Sequence, residues 1–135
     1  MYKLRSWIDI NKINWDRLSS NPNAITLLEK NMDKINWILL TYNPNAIHLL
    51  EKNMEKINLY YGLSNNLNAI DILSKNMDKI HWFELSMNPN AIDLLEKNIY
   101  KINWYGLSQN PNAIHLLEKN MDKIDYYTYQ KIQML

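Results

Sequence analysis

An Asn-Pro-Asn-Ala-Ile motif recurs along this chain at an almost constant spacing. The five copies of the motif begin at Asn21, Asn43, Asn66, Asn88 and Asn110, in steps of 22, 23, 22 and 22 residues. A fixed period of this size is typical of stacked supersecondary units, each unable to bury its apolar face alone. The spacing therefore predicts an elongated repeat protein whose apolar contacts lie between successive layers.

The consensus I-N-W-x-x-L-S-x-N-P-N-A-I-x-L-L-E-K-N-M-D-K divides the chain into five repeats. Repeats one to five cover residues 13–34, 35–56, 57–79, 80–101 and 102–123. Since 135 residues correspond to one domain, we predict a single repeat domain, 1–135, with an N-terminal cap, 1–12, and a C-terminal cap, 124–135. The apolar residues expected to cover the two ends are Leu4, Trp7, Ile8 and Ile10 in the first cap and Tyr126, Tyr127, Ile132 and Leu135 in the second.

Each repeat contains two helix signals, and the first is the motif itself. Asparagine is a strong N-cap and proline is tolerated at the first helical position, so Asn21 and Pro22 predict a helix over residues 22–30. Asn31 follows the apolar stripe of this helix. Because asparagine tolerates the left-handed conformation, we expect Asn31 to end the helix as glycine does.

The second helix is predicted over residues 33–41. Asp33 can cap it, and Met32 and Trp37 have the spacing of a hydrophobic staple. Two short helices and two tight turns account for 22 residues, so the predicted fold is an all-α solenoid of about five 22-residue helix-turn-helix repeats with terminal caps. The alternative is a leucine-rich-repeat-like β-solenoid, which the scarcity of β-branched residues and the absence of sustained L-x-L alternation disfavour.

Repeat three departs from the consensus. Leu59 stands where the other repeats have tryptophan, one residue is inserted among Tyr60-Tyr61-Gly62, Leu67 replaces the proline and Ser74 replaces the glutamate. An inserted residue in a stacked array must be absorbed locally. We therefore expect a longer turn or a change of curvature in this repeat.

Nothing in the sequence points to catalysis. His48 and His115 hold the same repeat position three repeats apart, on the order of 25–30 Å at the usual spacing of packed helices, so they cannot share a metal or a substrate. His81 replaces the asparagine before tryptophan and is interpreted as a capping variant. Glutamates such as Glu29 and Glu96 form a row that we interpret as a solvated face. We expect no enzyme activity, no catalytic residues, no metal and no cofactor.

Composition excludes further classes. The chain has no cysteine, so it has neither disulfides nor thiolate metal sites. The net charge is +1 and no basic stripe is present, which argues against nucleic acid as a partner. No apolar run approaches the ~20 residues that span a membrane, and no signal peptide is visible; we therefore expect no membrane partner and an intracellular protein. The 21 asparagines occupy fixed repeat positions, where caps and turns explain most of them.

Variable positions inside the repeat are free to carry binding. The pair after I-N-W and the residue after L-S are unusually rich in aromatic residues and methionine, which interface cores also favour. The alternative is that half of these side chains pack between layers, as we expect for the repeated tryptophans. The candidate partner-binding residues are Ile38, Tyr42, Tyr60, Tyr61, Phe83, Met87 and Tyr105.

The five-fold motif resembles the Asn-Pro-Asn-Ala-Ile repeat proteins that giant DNA viruses of amoebae, such as mimivirus relatives, encode in many copies. The opening Leu4-Arg5-Ser6-Trp7-Ile8 also looks like the start of those proteins, and the resemblance covers about residues 4–125. It brings no activity and no catalytic residues. It implies a viral protein acting inside an infected host cell, through contacts with a host or viral protein.

Two functions follow as hypotheses. The first is a non-catalytic repeat scaffold that mediates protein–protein interaction through its variable face. The alternative is a self-assembling structural component of a virion or viral factory, associating through its C-terminal end. For both functions, the resemblance implies a location in the host cytoplasm or the virion.

Overall fold

A computed structural model describes residues 4–58, 60–127 and 129 of the chain. The fold is all-α: helices and 3₁₀ turns are present, and these residues contain no strand. The α-helices are α1 (Trp15–Ser19), α2 (Ile25–Glu29), α3 (Trp37–Leu40), α4 (Ile47–Lys52), α5 (Tyr61–Asn65), α6 (Ile70–Ser74), α7 (Trp82–Met87), α8 (Ile92–Glu96), α9 (Trp104–Leu107) and α10 (Ile114–Glu118). The 3₁₀ turns are Ile10–Lys12, Pro22–Ala24, Met32–Lys34, Met54–Lys56, Met77–Lys79, Ile99–Lys101 and Met121–Lys123. Within the described part of the chain, no helix has the length and apolarity needed to cross a membrane.

The second predicted helix, over residues 33–41, is divided in the structure. Met32–Lys34 forms a separate 3₁₀ turn, and the backbone is extended at Ile35 and at Asn36 before α3 begins at Trp37. The Oδ1 atom of Asn36 accepts a hydrogen bond from Leu39 N at 3.1 Å, which makes Asn36 the N-cap. The predicted start at Asp33 and its staple are therefore wrong, because the asparagine cap and the buried Ile35 set the helix start four residues later.

The asparagine after the first helix has a different role from the expected one. Asn31 has φ −138°, and no residue in the described ranges has a positive φ, so the left-handed cap is wrong. Its Nδ2 donates to Leu27 O at 2.8 Å. The side chain thus satisfies a terminal helix carbonyl that a left-handed residue would otherwise serve. The same bond is made by Asn53, Asn76, Asn98 and Asn120.

The core is a column of leucines supplied by both helices of each repeat. Leu40 of α3 and Leu50 of α4 have no exposed surface, and the equivalent leucines of the later repeats are buried in the same way. Helix α1 packs against α3, α5 against α7, and α7 against α9. Each fully buried leucine stabilises the fold by roughly 1.5–3 kcal/mol relative to an exposed one, so these helices of four to six residues depend on their neighbours.

The first asparagine of the motif links each repeat to the one before it. Nδ2 of Asn110 donates to Ser86 O and to Asn88 O, both at 2.9 Å, while its Oδ1 accepts from Asn112 N at 3.0 Å. The next asparagine, Asn112, donates from its Nδ2 to Pro89 O at 3.0 Å. We call this pattern the asparagine ladder, and its buried members are Asn43, Asn66, Asn88 and Asn110.

A buried serine forms a second link between repeats. Ser86 Oγ accepts from Asn103 N at 3.0 Å and donates to Trp82 O at 2.7 Å. The serine Oγ accepts the same backbone bond in the pairs Ser19 with Asn36, Ser64 with His81 and Ser108 with Asp125. In repeat two a threonine replaces the serine: Thr41 Oγ1 donates to Ile38 O at 2.6 Å and accepts no bond from Asn58 N.

The register of repeat three differs from the predicted one. The fully buried Leu63 follows Tyr60 by three residues, as Leu40 follows Trp37. Nζ of Lys79 lies 5.6 Å from the centroid of the Tyr60 ring, and Nζ of Lys56 lies 4.8 Å from the centroid of the Trp37 ring in the repeat before. Tyr60 therefore occupies the tryptophan position, and the assignment of Leu59 to it is wrong. The predicted longer turn among Tyr60-Tyr61-Gly62 is wrong, because α5 begins at Tyr61 and the extra residue of this repeat therefore precedes Tyr60.

The apolar residues expected to cap the two ends are only partly buried. Trp7 is 78% exposed and Tyr127 is 73% exposed, so neither is buried against the neighbouring repeat as predicted. Ile8 is half-buried, and it borders a cleft of about 370 Å³ together with Leu18 and Leu27. Ile132 and Leu135 lie outside the described residues.

Candidate functional site

Four side chains at one repeat position form an exposed line that we call the outer row. Each is the residue after the tryptophan position, near the start of an odd-numbered helix: Ile38, Tyr61, Phe83 and Tyr105. Ile38 and Tyr105 are 51% exposed and Tyr61 is 47% exposed, whereas Phe83 is half-buried. The predicted binding residues at this position therefore share one face.

The aromatic members of the outer row contact one another across repeats. The rings of Phe83 and Tyr105 are stacked, with centroids 6.2 Å apart and an interplanar angle of 15°. His81 lies between Tyr61 and Phe83, at centroid distances of 3.8 Å and 6.4 Å. These contacts order the rings within the chain, and a surface ordered in this way would lose less conformational entropy on binding another molecule.

Two further predicted residues, Tyr42 and Met87, lie beside the row over glycines of the next repeat. Tyr42 is 47% exposed, and a Cβ added to Gly62 would lie 2.7 Å from its ring. Met87 is half-buried, and a Cβ added to Gly106 would lie 3.4 Å from Met87 Cγ and 2.8 Å from the backbone oxygen of Phe83. The close approach at these two glycines could not be predicted from the sequence, because it depends on how successive repeats pack.

Tyr60 does not belong to this face. It is 5% exposed and lies in the core at the tryptophan position, so its assignment as a binding residue is wrong. The single-residue insertion shifts the register before Tyr60, and this moves Tyr61 to the outer row in its place. Of the seven predicted binding residues, six lie at or beside the outer row.

The histidines have partners that the sequence did not reveal. Nε2 of His48 lies 2.8 Å from Oε1 of Glu29, and Nε2 of His115 lies 2.8 Å from Oε1 of Glu96. Each pair joins successive repeats on an exposed face. His81 lies at the N-cap position of α7, but its side chain makes no capping hydrogen bond. Its interpretation as a capping variant is therefore wrong.

The described residues contain no group of three or more metal-ligating side chains. The outer row combines apolar surface with the hydroxyl groups of Tyr61 and Tyr105, an arrangement that suits contact with another molecule. Nothing in its geometry brings a nucleophile, a base and an orienting group together.

Comparison with known proteins gives no further assignment. No protein-family model, curated protein or solved structure matches this chain.

Proposed function

We propose that this protein is a non-catalytic α-solenoid of five stacked repeats that binds another protein through the outer row and the adjacent Tyr42 and Met87. The observation that carries the proposal is a set of large apolar side chains at one position of four successive repeats, of which three are about half exposed and Phe83 is less so. Residues at fixed positions build the scaffold, whereas the residues of the outer row vary in identity and are free to determine a partner.

The stacking part of the proposal is supported by the hydrogen bonds between repeats. The asparagine ladder has the same donors and acceptors at four successive steps, from Asn43 to Asn110. A repeated junction of this kind is expected of a solenoid, in which each unit contacts only its neighbours.

The binding part is supported by the composition of the outer row. Tyrosine and methionine are enriched in the cores of protein interfaces, and tyrosine often carries a large share of the binding energy. The hydroxyl groups of Tyr42, Tyr61 and Tyr105 make no hydrogen bond within the described chain. They are therefore available to a partner.

In line with the resemblance of the motif, we propose that the partner is a host or viral protein and that contact takes place in an infected cell. We propose neither a nucleic acid nor a membrane as a partner. The compartment we propose is the host cytoplasm or the virion.

Affinity capture from infected host cells tests this function. The wild-type chain is compared with a variant that carries Ile38→Ser, Tyr61→Ser and Tyr105→Ser, three exposed positions whose substitution leaves the leucine core intact. We expect one discrete partner with the wild type and none with the variant.

The matched control removes exposed aromatic rings elsewhere, through Tyr100→Ser and Trp7→Ser, which are 99% and 78% exposed. Circular dichroism and light scattering establish that all forms are folded and equal in mass. Capture that is lost equally in the control, or retained in the outer-row variant, would contradict the proposal.

A structural, self-assembling role is the second candidate. It is favoured by Tyr126, which is 54% exposed, and by the neighbouring Tyr127 at the C-terminal end, because exposed apolar surface at the end of an array promotes association. Light scattering over a range of concentrations tests it. A mass that grows with concentration, and that returns to the monomer value in a Tyr126→Ser/Tyr127→Ser variant, would favour this role over a monomeric binding module.

A further inference from the structure

The N-terminal side of repeat one is an open copy of the surface that joins the later repeats. In repeat two Leu40 and Asn43 have no exposed surface, because α1 packs against α3 and repeat one accepts the hydrogen bonds of Asn43. The equivalent residues of repeat one are Leu18, which is half-buried, and Asn21, which is exposed. The described residues contain no α-helix before α1 that would cover them.

A cleft of about 370 Å³ marks the place where such a helix would lie. Leu18, Ala24 and Leu27 of repeat one line it, and the N-terminal cap contributes Leu4 and Ile8. We call it the N-terminal cleft. The counterparts of its repeat-one residues are covered by a preceding repeat in every later repeat. The cleft therefore offers apolar surface to an occupant shaped like a repeat.

Two side-chain amides in the N-terminal cleft lack the acceptors that their counterparts have. Nδ2 of Asn43 donates to Ser19 O and to Asn21 O, and Nδ2 of Asn45 donates to a third backbone carbonyl of repeat one. Asn21 and Asn23 both line the cleft, and their Nδ2 atoms donate to no described residue. The missing occupant is therefore a helix end that presents backbone carbonyl groups beside apolar side chains.

The C-terminal end of the described chain has the first half of a further repeat. Asp125 N donates to Ser108 Oγ at 3.2 Å and Tyr129 N donates to Asp125 O at 3.0 Å. Asn103 and Leu107 make the same two bonds in repeat five. Tyr129 thus holds the leucine position, but it is only half-buried, whereas the leucines of repeats two to five are fully buried there. This end supplies the kind of helix that is absent beside repeat one.

The second half of that further repeat is open at the C-terminal end. Ile114 is 41% exposed and Met121 is 60% exposed, whereas their counterparts Ile92 and Ile99 are half-buried beneath the following repeat. Ile10 begins the 3₁₀ turn of the N-terminal cap as Met121 begins that of repeat five, and it is exposed as well. Each end of the described chain thus has the half of a repeat that the other end lacks.

We propose that the protein binds a second copy of itself head to tail, with the C-terminal segment of one copy in the N-terminal cleft of the next. Tyr129 of the first copy then covers Leu18 of the second, and Asn21 donates to backbone carbonyls of the inserted segment. Ile10 of the second copy covers Met121 of the first. Since every residue has a backbone carbonyl, the asparagine ladder continues across this junction without a further Asn-Pro-Asn motif. A heterologous contact of this kind builds filaments or closed rings.

This inference rests on the stacking of repeats proposed above, and it gives the self-assembling role a second, complementary surface. It does not involve the outer row, which remains exposed along such an assembly. Sedimentation velocity of the full chain over a range of micromolar concentrations tests it. We expect the wild-type mass to grow beyond that of a dimer, because each added copy leaves one cleft and one C-terminal segment free.

Two variants each block one end. Asn21→Asp keeps the oxygen that accepts from Asn23 N and remains a good N-cap, but it replaces the amide donor with a carboxylate that repels carbonyl groups. Met121→Lys places a charge at the other end, on a side chain that is already exposed. We expect each variant alone to associate at least about tenfold more weakly than the wild type.

Mixing the two variants gives the sharpest result. The intact C-terminal end of the Asn21→Asp chain and the intact cleft of the Met121→Lys chain form one normal contact, so the mixture should form dimers with wild-type affinity and stop there. Asn65→Asp adds the same charge at an exposed residue of repeat three and should associate as the wild type does.

A wild type that stays monomeric, an Asn21→Asp variant that associates as tightly as the wild type, or a mixture that stays monomeric would each overturn the proposal. The outer-row variant with Ile38, Tyr61 and Tyr105 changed to serine should still associate head to tail. The two end variants should still capture a partner through the outer row. Failure of the head-to-tail contact and failure of the outer row are therefore separate results.

Discussion

Asn110 donates a hydrogen bond from its side-chain amide to the backbone oxygen of Asn88, at 2.9 Å, and these two residues hold the same position in successive repeats. The recurrence of this bond explains why the motif tolerates so little change at its first asparagine. The side chain must cap its own turn and also reach two carbonyls of the preceding repeat. Only a side chain with an amide donor and an amide acceptor at this length can do both.

The first prediction concerns the asparagine ladder. Asn88→Leu removes the donors to Ser64 O and Asn66 O and leaves buried carbonyls unpaired, so it should lower the free energy of unfolding by about 3 kcal/mol. Urea denaturation measures the loss. Asn21→Leu is the matched control, because Asn21 caps its turn but is exposed and makes no bond to a preceding repeat. It should lose about 1 kcal/mol, and equal losses would contradict the ladder.

The second prediction concerns the buried serine. Ser86→Ala leaves the backbone N–H of Asn103 without its acceptor, so unfolding should become easier by roughly 1–2 kcal/mol. Hydrogen exchange at Asn103 should accelerate at the same time. Ser20→Ala, which removes a single exposed bond to Arg17 O, should change stability by less than about 0.5 kcal/mol. Unchanged exchange at Asn103 would show that the serine bond does not hold this junction.

The third prediction concerns Gly62. Replacing glycine by alanine inside a helix usually stabilises it by about 1 kcal/mol. Here the new Cβ would collide with Thr41 Oγ1 and with the ring of Tyr42, so Gly62→Ala should destabilise the chain by roughly 1–3 kcal/mol. The melting temperature reports the change. Adding Thr41→Ala and Tyr42→Ala should recover part of the loss, and a triple variant as unstable as Gly62→Ala alone would refute the steric explanation.

The fourth prediction concerns the histidine–glutamate pairs. His48 and Glu29 are 46% and 45% exposed at their side chains, and exposed pairs contribute little because solvent screens them. A double-mutant cycle with His48→Gln and Glu29→Gln should give a coupling below about 1 kcal/mol. The cycle on His115 and Glu96 should agree with it, since the geometry is the same. A coupling several times larger would mean that these pairs hold the repeats together.

Much of the scaffold could be predicted from the sequence. Helical segments fall in each half of the repeats, and the tryptophan and leucine positions face the core as expected. The start of α3 could not be predicted, because Asp33 and Asn36 are both good caps. The choice between them depends on where Ile35 is buried. All four residues of the outer row were predicted, and Tyr60 was wrongly added to them, because repeat three could be aligned from either side of its extra residue.

The period of the motif and the residue types at its positions determined the all-α class and most of the exposed variable face, because these depend on local propensity and on which side chains avoid water. The tertiary structure decided what the asparagines bond to, which residue of repeat three enters the core, and why Gly62 and Gly106 lack side chains. The carbonyl groups that accept these bonds belong to the backbone of another repeat. A backbone carbonyl cannot be identified as an acceptor from the sequence, because its partner depends on how the repeats pack.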